Sequence, residues 1–104
     1  MRKPIVAAAL FVVVLPFTAT LAAAGPIERA CLQSNRQAAN RAVCGCIQQV
    51  ADMTLRGADQ RKAAKFFTDP DQAQDVRMSK RDTDNDFWAR YKNFGDTAEV
   101  YCAG

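Results

Sequence analysis

From residue 26 to the end of the chain, apolar positions recur three and four residues apart, and no stretch alternates apolar with polar side chains as a half-buried strand would. The pattern predicts an all-α domain of four to five short helices. Ile27, Ala30, Cys31 and Ser34 can share one face of a brief first helix over residues 27–34. A polar connection over 35–40 follows, and Asn40 is placed to cap a second helix running from Arg41 to Leu55 or Arg56, with Gly57 as its stop. On that helix Val43, Ile47, Val50 and Thr54 fall at i, i+4, i+7 and i+11, which predicts the centre of its buried face.

Residues 58–68 form a third helical pattern, with Ala63, Phe66 and Phe67 inward and basic side chains around them. Asp69-Pro70 resets the chain, because an acidic cap followed by proline at the first helical position is a start signal. The fourth helix then runs to Met78 or Lys80 with Ala73, Val76 and Met78 inward. The last begins near Thr83, whose hydroxyl can cap while Asp84 and Asp86 lie beside the positive end of the helix. Phe87, Tyr91, Phe94, Ala98 and Tyr101 continue its stripe, and Gly95 is expected to kink or split it.

The first 24 residues follow a different rule. Arg2 and Lys3 precede an apolar run over 5–17, and Ala22, Ala23 and Ala24 supply a small-residue exit, the arrangement of a secretory signal peptide. At about 13 residues the run is short of the roughly 20 that a membrane span needs, and no second one follows. The expectation is a leader over 1–24, a single mature helical domain over 25–104, a periplasmic location and no membrane span after cleavage. The charges at Glu28 and Arg29 just before Cys31 are unlike a lipoprotein cleavage site. Removing the leader also changes the charge balance: Arg2 and Lys3 are two of the 14 basic residues, so the mature chain sets 12 against 11 acidic ones, about +1. A nearly neutral surface argues against general nucleic-acid binding, and the basic groups Arg61, Lys62, Lys65 and Arg77, Lys80, Arg81 read as solvated helix faces.

All four cysteines, Cys31, Cys44, Cys46 and Cys102, lie in the mature part. An even count in a short exported chain points to disulfides, and a domain near 80 residues, whose core alone is marginal, needs them. On a helix Cys44 and Cys46 flank the predicted buried face, roughly 80° to either side, so they diverge and each can reach a different neighbour. Two pairings remain: Cys31 with Cys44 and Cys46 with Cys102, or Cys31 with Cys46 and Cys44 with Cys102. In both, the second helix is a covalent hub, and Gly45 between the thiols is expected to admit a closely packed backbone. A thiol–disulfide exchange site at Cys44 and Cys46, or a soft-metal site, is the sharper alternative, but C-x-C alone specifies neither.

Other chemistry is sparse. Asp82, Asp84 and Asp86 resemble the opening of a calcium loop, yet Phe87 stands where its glycine would be and Asn93 where its bidentate glutamate would be; an acidic helix start accounts for them. There is no histidine to serve a serine or cysteine nucleophile, and no carboxylate pair in a recognisable motif. The chain therefore reads as non-enzymatic, with no cofactor or metal implied. The aromatic residues at helical spacing are expected to be core, apart from Trp88, which is offset from the Phe87, Tyr91, Phe94 stripe. Trp88 is the first candidate contact residue, with Arg90 or Lys92 stacked on it or used alongside it on a partner.

The order G-P-I-E-R-A-C, C-G-C-I-Q-Q-V-A-D, A-A-K-F-F, D-P-D-Q-A-Q-D-V-R-M-S and F-W-A-R-Y resembles a family of small, uncharacterised exported bacterial proteins, members of which are sometimes labelled arginine transporter. The resemblance covers essentially the whole mature chain and brings no catalytic or ligand residues with it. The residues themselves lead to the expectation of a non-enzymatic interaction module acting through protein or envelope contacts, and the resemblance implies, as the alternative, an accessory or small-ligand carrier in transport. Arginine would there need a carboxylate such as Asp52, Asp59 or Asp96 converging with an aromatic wall.

Overall fold

The structure, a computed structural model, describes residues 11–13, 24–34, 37 and 39–103. The predicted leader lies almost wholly outside these residues. Five α-helices follow in order, with no strand among the described residues: α1 (Pro26–Gln33), α2 (Arg41–Thr54), α3 (Gly57–Thr68), α4 (Pro70–Met78) and α5 (Asp82–Cys102). Two disulfides join them, so the fold is all-α and disulfide-stapled as the apolar spacing and the cysteine count predict.

Local chemistry sets the boundaries. Pro26 stands in the first turn of α1, and Ser34 closes that helix by donating both its N–H and its hydroxyl to the Cys31 carbonyl, at 3.2 and 2.6 Å. Asn40 caps α2 as expected, its side-chain oxygen accepting from the Val43 N–H at 2.9 Å, a contact worth about 1 kcal/mol. Gly57 is not the stop of α2. Leu55 and Arg56 end that helix in extended conformation, and Gly57 begins α3. Asp69 ends α3 and precedes Pro70 of α4, but its carboxylate accepts from the Gln72 side chain at 3.0 Å and not from a backbone N–H. α5 starts one residue before Thr83, where the Ser79 hydroxyl accepts from the Arg81 N–H at 3.2 Å. Gly95 neither kinks nor splits α5, which runs unbroken through it.

α1 packs against α2 and α3, α2 also against α5, and α4 bridges α3 and α5, so the helices close around one core. Ile27, Val50, Ala51, Leu55, Ala63, Phe66, Phe87 and Phe94 form it. α4 contributes only the half-buried Ala73 and Val76, and Met78, expected inward, is 76% exposed. Phe66 stands edge-on to Phe87 and Tyr91, at 5.9 and 5.1 Å between ring centres. Tyr101, expected on the α5 stripe, is exposed; Cys102 takes the half-buried place instead.

The buried face of α2 differs most from expectation. Cys44, Gln48, Val50 and Ala51 are buried, whereas Val43, Ile47 and Thr54 are half-buried. The face centred on Cys44, Gln48 and Ala51 is turned by roughly 100° from the predicted stripe. α2 lies between α1 and α5, so it has two inward sides, and the apolar stripe marks only the one toward α5.

Candidate functional site

Diverging side chains on α2 place its two thiols against different helices. Cys44 bonds to Cys31 of α1, and Cys46 bonds to Cys102 at the last turn of α5. This is the first of the two pairings that the sequence leaves open. Among the described residues no cysteine is free. The dithiol that exchange through Cys44 and Cys46 would need is therefore not assembled, since each sulfur is committed to its own bridge. The two bridges differ in setting: Cys31 and Cys44 are 4% and 0% exposed, while Cys46 and Cys102 are both half-buried.

Beside the buried bridge lies a polar network that the apolar spacing does not reveal. The Gln48 side-chain oxygen accepts from the Glu28 N–H of α1 at 2.9 Å, so an amide on α2 caps the start of α1, where Gly25 has no side chain to do so. The Gln48 amide nitrogen donates to the Asp52 carboxylate and to the Gln60 side-chain oxygen, both at 2.8 Å. Gln60 in turn donates to Asp52 at 3.1 Å and to the Leu55 carbonyl at 3.2 Å. Three helices thus meet on one amide pair, and no buried side-chain nitrogen or oxygen among the described residues lacks a partner. Gly25 packs so closely on the Gln48 carboxamide that a Cβ there would overlap it. At Gly45 the nearest atom to an added Cβ would be the Glu28 carboxylate at an ordinary 3.5 Å, so the close approach expected at Gly45 is found at Gly25.

Charged side chains tie α5 to α3. Lys62 reaches Asp84 at 3.0 Å and stands 4.4 Å over the Phe87 ring, and Arg81 approaches Asp84 at 3.4 Å. Hydrogen bonding from the Ser79 hydroxyl, then from Lys62, holds the Asp84 carboxyl below its ordinary pKa against the opposing effect of burial. Lys62, its side chain still 37% exposed, is therefore a linking cation at the edge of the basic face. Helical spacing turns Asp84 about 200° from both Asp82 and Asp86, which are exposed, so the three acids do not converge on a calcium ion.

The predicted contact residues separate. Trp88 is half-buried, 5.2 Å from Tyr91 between ring centres, and shares its face with the exposed Lys92. Arg90, two residues on, faces the other way and grips Asp59 of α3 through two hydrogen bonds, at 2.7 and 3.2 Å, which holds its pKa above the ordinary arginine value. Arg90 is thus engaged by a carboxylate, on the side of α5 away from Trp88. The three carboxylates named for arginine lie on three elements: Asp52 in the amide network, Asp59 under Arg90, and Asp96 exposed on α5.

Two concave regions border these groups. A cleft of about 440 Å³ is lined by Arg56, Ala58, Asp59 and Arg90. A more apolar groove of about 520 Å³ runs between α2 and the end of α5, lined by Val43, Ile47, Gly95, Ala98, Glu99, Cys102 and Ala103. Sequence reasoning missed the groove because Val43 and Ile47 read as core; their half-buried state shows only once α5 is placed against them by the Cys46–Cys102 bridge. No helix among the described residues is long and apolar enough to cross a membrane, and no group of three or more acidic or cysteine side chains among them is placed to hold a metal ion. Compared with known proteins, the chain matches no family model, no curated protein and no solved structure.

Proposed function

We propose that the chain is a non-enzymatic interaction module of the periplasm, exported by its leader and kept folded there by two disulfides. The α2–α5 groove carries this reading. Val43, Ile47 and Ala98 give it an apolar floor, the Cys46–Cys102 bridge fixes both walls, and Glu99 stands on its lining as a single carboxylate. A preformed apolar groove with one anionic group fits an apolar segment of an envelope protein that carries a lysine or arginine to meet Glu99. The carboxylates of Asp52, Asp59 and Asp84 hold partners within the fold.

A photo-crosslinking side chain at Val43 tests this in exporting cells, with Asp71 on the exposed side of α4 as the control position. Discrete adducts at Val43 that fade with Glu99→Lys, and none at Asp71, are the expected result. The same adducts at both positions, or none at Val43, contradict it.

A second reading, a small-ligand carrier of the arginine type, would rest on the cleft at Asp59, whose lining of Arg56, Ala58, Asp59 and Arg90 lacks the aromatic wall that arginine would need. Arginine would have to displace Arg90 from Asp59, so calorimetric titration should give a heat that Asp59→Asn abolishes; a titration without heat removes this reading.

A further inference from the structure

We propose that the Cys46–Cys102 disulfide is a redox modification site, a bridge that an external dithiol opens selectively and that, once open, releases the last two turns of α5 from α2. The inference stands on burial and helix geometry and does not depend on what occupies the groove.

The first support is the contrast between the bridges. Cys44 is fully buried and Cys31 nearly so, between α1 and α2 beside the Gln48 network. A thiolate can reach that bridge only if the two helices part. Cys46 and Cys102 are half-buried, and Cys102 lines the open groove, so an incoming thiol has an approach without unfolding.

The second is how little else holds the end of α5. Phe94 is the last buried residue among those described. Beyond it, among the described residues, Ala98 and Cys102 are the hydrophobic side chains that rest against the core, Thr97 is half-buried, and Val100 and Tyr101 are 79% and 69% exposed. Gly95 begins this stretch, and a Cβ there would meet nothing within 4 Å, so no packing offsets the low helix propensity of glycine. The segment from Gly95 onward is thus a short helix end with a weak first residue, few apolar contacts and one covalent tether. Such segments open at a low free energy once the tether is cut. Release would uncover Val43 and Ile47, which the segment half-covers.

The chemistry balances with a dithiol as reductant. One thiolate of the dithiol attacks a sulfur of the bridge, forming a mixed disulfide and expelling the other cysteine as a thiolate, which takes up a proton. The second thiol of the dithiol then displaces the protein sulfur. The dithiol leaves as its disulfide, having given two electrons and two protons to Cys46 and Cys102.

Limited reduction with dithiothreitol, trapping of new thiols with a maleimide and peptide mass spectrometry read the order of opening. The structure predicts Cys46 and Cys102 labelled at least about tenfold faster than Cys31 and Cys44, and, in the singly reduced protein, amide exchange over residues 96–102 at least about tenfold faster than over α1 to α3, which stay helical. The Cys46→Ser, Cys102→Ser double variant gives the open state without reductant. It should remain helical, with the same local loss of protection. Equal or reversed labelling, undiminished protection of residues 96–102, or global unfolding of the double variant would each overturn the proposal.

Discussion

Gln48 sits where the α2 pattern reads polar, yet its carboxamide is buried and joins three helices. A glutamine in a helix signals no particular partner, because the same side chain is equally at home in water. That is why this centre was illegible while the aromatic core at Phe66, Phe87 and Phe94 was not: ring burial follows from spacing, whereas amide burial follows from what three separate segments present to one another. The Glu28 N–H depends on Gln48 for its cap, so truncating the amide leaves a donor unmatched. Gln48→Ala should lower stability by about 1–3 kcal/mol in chemical denaturation. Gly25→Ala acts through the same carboxamide by pushing it out of place. The two losses should therefore fall short of additive in the double variant, by about 0.5 kcal/mol or more. Full additivity would show that Gly25 and Gln48 do not act as one unit.

Helix limits were largely readable, since Asn40, Pro26 and Pro70 act locally and their effect does not wait for tertiary contacts. The exceptions are those where a neighbour decides. Gly57 looks like a stop but opens α3, because the extended Leu55, buried in the core, already ends α2. Lys62 looks like one of several solvated cations but is drawn onto Asp84 and the Phe87 ring, fastening α3 to α5. This fastening carries a pH signature. With the folded pKa of Asp84 lowered, its contribution is fully present above the ordinary aspartate value of about 3.9 and is lost as pH falls through the lowered value. Asp84→Asn should thus be less stable than the parent at neutral pH, and the gap should close on acidification below about pH 4. A gap of constant size down to pH 2 would mean that the ion pair does not link α3 to α5.

At the scale of the molecule, α2 is the hub to which both ends of the described fold are bonded. The Cys31–Cys44 bridge closes a separation of 13 residues and the Cys46–Cys102 bridge one of 56. By loop-closure entropy these stabilise by about 3 and about 4 kcal/mol, a large share of what a domain of this size can hold. That α2 would serve as the hub was legible from the divergence of Cys44 and Cys46 on one helix. The pairing was not, because both candidate partners lie near helix ends and only the packing order of α1, α2 and α5 assigns each to its side. Peptide mapping of the exported protein without reduction, with fragmentation at Gly45 to separate Cys44 from Cys46, tests this most directly. The account predicts Cys31 linked to Cys44, Cys46 linked to Cys102, and no alkylatable thiol; crossed links, a Cys44–Cys46 bond or a free thiol would contradict it.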